Sequence, residues 1–283
     1  MEKSFLQIAK TVFDIGSKKE YKFFQISDMH LSVMDEHSSD LDKNDYQRCH
    51  NQWDTLKYEF ANQHNEICDE RYDIEPQIIF EELCDYAVTK KFDAIIFTGD
   101  IFDRVTDSNI RYLKNIIKKI PMTVVYCLGN HEYMSATEKN VDQKNRLVGL
   151  IDVDGVHIID YEDFLLVALD NGSNVITDYQ VEKLEELIKT NKKILLAMHK
   201  PLLLGEFGEN LLDKIGSYFF IGKENDCENA KKIVRLVKEN DDHFIGVLCG
   251  HIHSAYEYRI TEKINQISTS SGLIGAGREI IIK

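Results

Sequence analysis

The sequence predicts an α/β fold in which β-strands alternate with amphipathic helices. Short apolar runs rich in β-branched residues recur along the chain, and between them lie segments whose apolar residues repeat every three or four positions. Strands that alternate with helices imply βαβ units, whose parallel strands form a sheet with helices on its faces. A chain of 283 residues is long enough to bury a substantial core.

Five apolar runs of strand length each lead directly into a group of polar residues. The runs are Phe23–Ile26, Ala94–Thr98, Thr123–Leu128, Ile194–Met198 and Phe244–Cys249. In open α/β sheets, ligands bind just outside the carboxyl ends of the strands. We therefore expect the polar residues that follow these runs to form a functional site.

Three segments between the runs have the periodicity of helices. They are Pro76–Lys90, Asp107–Ile120 and Asp178–Thr190. Pro121 ends the second segment, because proline cannot continue a helix. Thr177 and Gln180 fit a capping box at the start of the third.

The second half of the chain contains strand candidates that helices do not clearly separate. These are Val156–Ile159, Phe164–Leu169, Tyr256–Ile260, Ile264–Ser268 and Glu279–Ile282. Parallel strands need long crossover connections, whereas antiparallel strands can be joined by short turns. The pattern therefore predicts more antiparallel pairing in this half.

Residues 35–76 depart from the alternating pattern and follow the first polar group directly. An apolar stripe in this segment consists of Tyr46, Trp53, Phe60 and Ile67, which recur every seven residues. Such a stripe predicts one long amphipathic helix of about 25 residues, inserted next to the site. Periodicity does not distinguish a lid from ordinary core packing, and both interpretations stand at this point.

The charge of the chain limits its partners. The formal net charge is −14, from 34 basic and 48 acidic residues, and no tract rich in lysine or arginine occurs. Nonspecific binding of duplex nucleic acid depends on such cations, so the sequence argues against that partner. A small phosphorylated substrate is compatible with an acidic protein, because bound divalent ions reverse the local charge.

The cysteines and the N-terminal segment predict a cytoplasmic protein. The six cysteines form no CxxC pair, and Cys84, Cys127 and Cys249 lie in apolar runs, as buried free thiols do. The first 13 residues lack a long apolar core and include Lys10, so they resemble neither a signal peptide nor a membrane span. The sequence gives no indication of the oligomeric state.

The polar groups at the five strand ends consist largely of residues that bind metal ions. The groups are Asp28-Met29-His30, Gly99–Arg104, Gly129–Glu132, His199 and Gly250–His253. They supply about seven oxygen and imidazole ligands, too many for one ion and enough for two, and two adjacent ions can hydrolyse phosphate esters. Each group alone could be a turn or a core histidine, so the prediction rests on the ordered set. Ligands without thiolate suit Mn²⁺, Fe or Zn²⁺.

This ordered set resembles the pattern of the calcineurin-like metallophosphoesterase superfamily: D-x-H, G-D-x-x-D, G-N-H-[D/E], a lone His and G-H-x-H. The resemblance extends over residues 28–253. It implies one domain over residues 1–283, folded as a four-layer α/β/β/α sandwich of two mixed β-sheets flanked by helices, with a helical insertion at about residues 35–76.

The resemblance also implies two divalent metal ions and assigns their ligands. Asp28, His30 and His253 would bind the first ion, Asn130, His199 and His251 would bind the second, and Asp100 would bridge both. Ions about 3.5–4 Å apart can share one carboxylate in this way.

Three further residues receive catalytic roles from the resemblance. His131 would donate a proton to the leaving group, and Asp103 would hydrogen-bond and orient its ring. Arg104 would hold phosphate oxygens with its guanidinium group. The alternatives are a helix N-cap or turn residue for Asp103 and a surface ion pair for Arg104.

The sequence thus predicts a binuclear metal-dependent phosphoesterase acting on phosphate mono- or diesters of a small molecule, such as a nucleotide or cyclic nucleotide. One alternative is a nuclease acting on DNA or RNA, because some family members are nucleases. Another is a non-catalytic binding or scaffold protein on the same fold. Members of that kind lack ligand residues, whereas this chain has all of them.

Overall fold

The computed structural model describes residues 5–62, 74–134, 146–150 and 154–283. The strands of the described residues are β1 (Gln7–Phe13), β2 (Tyr21–Ile26), β3 (Ala94–Phe97), β4 (Thr123–Tyr126), β5 (Val156–Asp160), β6 (Phe164–Leu169), β7 (Lys193–Ala197), β8 (Phe244–Cys249), β9 (Tyr256–Arg259), β10 (Asn265–Ser268) and β11 (Ala276–Ile282). The helices with described bounds are α1 (Asp40–His50), α2 (Trp53–Asn62), α3 (Pro76–Lys90), α4 (Asp107–Ile117), α5 (Asp178–Ile188), α6 (Gly205–Ile215) and α7 (Glu228–Glu239).

The strands form two mixed sheets. The first has the order β1-β11-β2-β3-β4, and the second has the order β5-β6-β7-β8-β10-β9. Strands β2, β3 and β4 are parallel neighbours, as are β6, β7, β8 and β10. Antiparallel pairing occurs at β5, β9 and β11, all in the second half of the chain, as predicted.

Three apolar layers hold the sheets and helices together. Alternate residues of a strand face opposite sides of its sheet, so Phe23 enters the core between the sheets while Phe24 packs against α3 and α4. The second sheet packs its outer face against α5, α6 and α7, for example through Phe207 and Ile233. This arrangement confirms the predicted four-layer sandwich.

The predicted elements are largely present, with shifted ends. Helix α3 has its predicted bounds, whereas α4 and α5 each end earlier than predicted, at Ile117 and Ile188. The capping box is confirmed, since Thr177 N donates to Gln180 Oε1 at 2.9 Å. Helices α6 and α7 and strand β1 were not predicted. Helix α6 contains two glycines, which are poor helix formers, and neither α6 nor α7 begins with a side-chain cap.

The insertion is not the single long helix that the stripe predicted. Helix α1 ends at His50 and α2 begins at Trp53, because a turn at residues 51–52 interrupts the helical hydrogen bonds: Gln52 N donates to Cys49 O, three residues back, at 2.9 Å. Trp53 and Cys49 are buried against Leu273 and Ile274, which precede β11. The described part of the stripe is therefore core packing. Ile67 lies outside the described residues, as does the side chain of Phe60.

The lengths of the described helices and the state of the described cysteines can be read from the structure. No helix in the described ranges is both long and apolar enough to cross a membrane. The five described cysteines are free thiols, and Cys84, Cys127 and Cys249 are buried as predicted. Cys68 lies outside the described residues.

Candidate metal centre

The seven predicted ligands lie in the loops that follow five strands. Asp28 and His30 follow β2, Asp100 follows β3, Asn130 follows β4, His199 follows β7, and His251 and His253 follow β8. Within each sheet these strands are parallel neighbours, so their carboxyl ends lie at one edge. Packing of the two sheets then brings both sets of loops together.

The first group of ligand atoms comes from Asp28, His30, Asp100 and His253. One potential ligand atom from each residue lies within 4.8 Å of all the others. His253 Nε2 lies 3.2 Å from His30 Nε2 and 3.4 Å from Asp28 Oδ1. These are the three residues predicted for the first ion together with the predicted bridge.

The second group consists of Asp100, His199 and His251, again with ligand atoms within 4.8 Å of one another. His199 Nε2 lies 3.3 Å from Asp100 Oδ2 and 3.1 Å from Asn130 Oδ1. The structure thus places Asp100 in both groups and adds the Asn130 amide to the second. It brings together all seven predicted ligands.

The spacing of these atoms fits divalent ions. Four ligands at about 2.1 Å from one ion in a tetrahedron are about 3.4 Å from one another, close to the separations observed. His251 Nε2 is buried and has no hydrogen-bond partner within the described part of the chain, which is costly for a polar atom. The site therefore has the features of a metal centre: imidazole nitrogens that face one another, a carboxylate shared by two groups, and a buried nitrogen without a hydrogen-bond partner in the described residues.

Five of the seven candidate ligands have left-handed backbone conformations. They are Asp28, His30, Asp100, His251 and His253, with φ between 48° and 67°. Non-glycine residues adopt this region rarely, although Asn, Asp and His do so more often than others, and such strain concentrates at functional sites. The segment that carries Asp28 and His30 is therefore not extended. Both residues turn back on the chain, held by bonds from Asp28 N to Gly99 O and His30 N to Asp100 O, each 3.0 Å.

The glycines that precede two of the ligands are required by close approach. A Cβ atom on Gly129 would lie 2.0 Å from Asp100 Oδ1. A Cβ atom on Gly250 would lie 1.9 Å from Ser27 Oγ and 2.5 Å from Asp28 Oδ2. A side chain at either position would displace a candidate ligand or its support.

Backbone and side-chain hydrogen bonds orient the ligands. The Asp28 carboxylate accepts from His251 N at 3.0 and 3.1 Å, and Asp100 Oδ1 accepts from His131 N at 2.8 Å. His199 Nδ1 donates to Thr98 O at 2.8 Å, which leaves Nε2 to face the second group. Partners of this kind fix the tautomer and ring orientation of metal-binding histidines.

Glu132 is a supporting residue to which the sequence reasoning gave no role. Its fully buried carboxylate accepts hydrogen bonds from Asp100 N, Phe102 N, Gly129 N and Tyr126 Oη, at 2.7 to 3.0 Å. It therefore joins the loop after β3 to the loop after β4. An acidic residue at the end of Gly129–Glu132 was the available sequence signal.

The structure places His131 beside Asp103, as predicted, but with a different principal contact. His131 Nδ1 donates to the Asp103 backbone carbonyl at 2.9 Å, and the Asp103 carboxylate Oδ1 lies 3.5 Å away. The N-cap alternative for Asp103 does not apply, because Thr106 caps α4. The role of Asp103 in catalysis stays a prediction.

The charges around His131 favour its protonated form. Burial by itself lowers the pKa of His131, but the carboxylates of Asp100 and Asp103 more than offset this and raise it to about 10. Burial has the opposite effect on a carboxyl group and by itself raises the pKa of Asp103. Hydrogen bonds from His131 and His30 nevertheless hold the pKa of Asp103 well below its usual range. These charges therefore favour an imidazolium–carboxylate pair next to the ligand groups.

Arg104 forms an ion pair in the structure. Its Nη1 lies 3.7 Å from Oδ1 of the buried Asp45 of α1, in line with the ion-pair alternative. The proposed grip on phosphate stays a prediction. Arg48 of α1, which sequence reasoning did not single out, also reaches this region and contacts Asp103.

Comparisons with known proteins agree with this fold and with the family that the motifs resemble. Residues 21–255 match the family profile described as calcineurin-like phosphoesterase. The chain is 25% identical over 183 residues to a probable cyclic nucleotide phosphodiesterase of Coxiella burnetii, covering 62% of this chain and 66% of that protein. It is 23% identical over 188 residues to another from Fibrobacter succinogenes, covering 64% and 66%. The chain thus matches just under two thirds of the length of each relative.

Two solved structures show the same fold at low identity. A dimetal phosphatase from Danio rerio has a TM-score of 0.55 at 11% identity, covering 89% of this chain and 88% of that one. A purple acid phosphatase from yellow lupin, Lupinus luteus, has a TM-score of 0.50 at 13% identity, covering 93% and 45%. The profile match extends over most of the chain and includes every motif that carried the resemblance. The chain therefore belongs to the calcineurin-like phosphoesterase family.

Proposed function

We propose that this protein is a binuclear metal-dependent phosphoesterase that hydrolyses phosphate mono- or diesters of small molecules, with nucleotides or cyclic nucleotides as the substrate class. The observation that supports this most directly is the pair of ligand groups that share Asp100. One group alone would fit a mononuclear or structural site, whereas two groups joined by one carboxylate fit a binuclear centre.

The donor set decides what chemistry the metals would supply. Asp28, His30 and His253 would hold one ion, Asn130, His199 and His251 the other, with Asp100 between them. Two divalent ions in these positions supply Lewis-acid polarisation of the phosphoryl oxygens and lower the pKa of a water molecule. Manganese, iron and zinc all suit such oxygen and imidazole ligands.

The residues of the chain itself would handle the leaving group. His131 is partly exposed, and its Nδ1 is engaged by the Asp103 carbonyl, so Nε2 is the ring nitrogen that faces away from Asp103. Since the Asp103 carboxylate lies 3.5 Å from His131 Nδ1 and favours the imidazolium, His131 would donate its Nε2 proton to the departing oxygen. General-acid catalysis of this kind contributes about 10²–10⁴-fold to the rate.

The substrate proposal rests on charge and on the relatives. The chain carries a net charge of −14 without a basic tract, which disfavours a long polyanion as substrate. Both curated relatives are named as probable cyclic nucleotide phosphodiesterases. Cyclic nucleotides are small diesters, so we expect diesterase activity to be at least as strong as monoesterase activity.

The test compares a monoester and a diester under defined metal loading. Metal-free protein is reconstituted with Mn²⁺, Fe²⁺ or Zn²⁺ and assayed with p-nitrophenyl phosphate, bis-p-nitrophenyl phosphate, 3′,5′-cyclic AMP and single-stranded DNA. Asp100→Asn should abolish hydrolysis, while Asp85→Asn, an exposed position on α3, should behave as wild type. Wild-type protein that binds two equivalents of metal yet hydrolyses none of these esters would favour the scaffold alternative. Preferential cleavage of DNA would favour the nuclease.

A further inference from the structure

The two carboxylate oxygens of Asp103 face different parts of the protein. Oδ1 lies 3.5 Å from His131 Nδ1 and 3.6 Å from His30 Nδ1, so it faces the candidate centre. Oδ2 accepts a hydrogen bond from Arg48 Nη2 and a weaker one from Cys49 Sγ at 3.4 Å. Arg48 and Cys49 both belong to helix α1 of the insertion. One helix outside the core sandwich therefore binds the far side of this carboxylate.

Arg48 is itself held by a second carboxylate. Its Nη2 also donates to Asp45 Oδ1 at 2.9 Å, and the Asp45 side chain is almost fully buried. Asp45 Oδ2 accepts a hydrogen bond from Ser32 Oγ at 3.1 Å. Ser32 lies two residues beyond the candidate ligand His30. The guanidinium group is thus fixed between a carboxylate anchored near the first ligand loop and the carboxylate beside His131.

Helix α1 is seated firmly enough to hold this arrangement. Cys49 and Trp53 are buried against Leu273 and Ile274 of the segment before β11. Ser271, in the same segment, donates from its hydroxyl to the backbone carbonyl of Asp28 at 2.5 Å. The surface on which the insertion packs is therefore continuous with the loop that carries the first two candidate ligands.

We propose that Arg48 is a positioning residue for the reaction, which fixes the Asp103 carboxylate so that Oδ1 orients the His131 ring. This inference rests on the proposed function, because it takes His131 to be the proton donor. A carboxylate held at one oxygen by a planar guanidinium cannot rotate freely, so its other oxygen keeps a constant direction. The insertion then contributes to the chemistry through its polar face, in addition to packing through its apolar face.

The kinetic test uses Arg48→Ala and Arg48→Lys at saturating metal. We expect Arg48→Ala to lower kcat by about 10–100-fold, the usual effect of losing a residue that supports a ligand or its partner, with KM within about twofold because substrate contacts are unchanged. Arg48→Lys should recover only part of kcat, because the lysine ammonium lies one bond nearer the backbone than Nη2, the nitrogen that contacts both carboxylates. Lys43→Ala, an exposed change on the same helix, is the matched control and should leave kcat unaltered.

The dependence of the kcat loss on the leaving group distinguishes a positioning effect of Arg48 from general damage to the structure. The loss in Arg48→Ala should be smaller for a nitrophenyl ester than for an alkyl ester, because a good leaving group needs no proton. In a His131→Ala background, Arg48→Ala should cause little further loss. A full additional loss in that background, or unchanged kcat in Arg48→Ala, would overturn the proposal.

A measurement on metal-free protein keeps this inference distinct from the proposed function. The ¹⁵N NMR shift of His131 Nδ1 reports its hydrogen bond to the Asp103 carbonyl and its contact with the Asp103 carboxylate, and it should move in Arg48→Ala but not in Lys43→Ala. If the shift stays unchanged in Arg48→Ala, Arg48 does not position the pair, whatever the enzyme activity. If the shift moves while wild-type protein hydrolyses no ester, only the proposed function fails.

Discussion

Replacing Glu132 with glutamine should destabilise the metal-free protein by about 1–3 kcal/mol. The buried carboxylate accepts from two backbone donors at Oε2 and from Phe102 N and Tyr126 Oη at Oε1. An amide nitrogen at the Oε1 position leaves only Phe102 N without a partner, since the Tyr126 hydroxyl can turn to accept. One buried donor without a partner costs about 1–3 kcal/mol.

The opposite amide orientation is worse, because it leaves both Asp100 N and Gly129 N without an acceptor. The less costly orientation therefore sets the expected value. Glu132→Ala would leave all four donors unpaired, at about 4–12 kcal/mol. That loss is comparable with the whole stability of a typical domain, so the alanine variant should fail to fold and glutamine is the informative change.

Urea denaturation of metal-free protein, followed by circular dichroism, measures this effect. Glu36→Gln, whose side chain is 86% exposed, is the control and should lie within about 0.5 kcal/mol of wild type. Metal affinity should also fall in Glu132→Gln, by about 10-fold or more, because Glu132 fixes the loops of Asp100 and Asn130. A Glu132→Gln protein as stable as the control would show that the carboxylate does not hold these loops together.

The remaining predictions concern the metals, the proton donor and the insertion. Wild-type protein should bind two equivalents of metal by elemental analysis, and Asp100→Asn should reduce both; one equivalent in wild type would contradict a binuclear centre. His131→Ala should lower kcat with metal content intact, and an equal loss for nitrophenyl and alkyl esters would argue against proton donation. Gly250→Ala should weaken metal binding, since its Cβ would collide with Asp28 Oδ2; unchanged titrations would refute this. Substitution of Leu41, an exposed apolar residue of α1, should change KM across a panel of esters without changing metal content; an altered melting temperature alone would indicate that Leu41 acts only in packing.

Local sequence patterns predicted an element correctly where its structure depends mainly on its own residues. The run Phe244–Cys249 and the helix Pro76–Lys90 were predicted with their observed bounds, because burial and helical periodicity are written into short stretches of sequence. The insertion shows where such patterns fail. Its apolar residues, spaced seven apart, predicted one helix, but α1 ends at His50 and α2 begins at Trp53. The face of α1 that packs inward depends on Leu273 and Ile274, which are distant in sequence.

The same contrast holds for the site. The seven candidate ligands could be named from five motifs, because metal-binding side chains at strand ends form a pattern that a linear reading can recognise. Their grouping into two sets had to come from resemblance, since Asp100 and His199 are distant in sequence and meet only when the two sheets pack. Arg48 carried no separable signal, and Glu132 carried only its place at the end of Gly129–Glu132, because each matters through partners that lie elsewhere along the chain.

By itself, the sequence determined the α/β fold class through local periodicity, and its motifs carried the family resemblance that implied the candidate ligands and phosphoesterase chemistry. Tertiary structure alone decided the left-handed turns of the ligand loops, the burial of Glu132 beneath them and the reach of α1 to Asp103. The physical reason is the separation along the chain over which each kind of interaction acts. Periodicity and capping act over a few residues, whereas hydrogen bonds between loops depend on how two sheets and an inserted helix pack against one another.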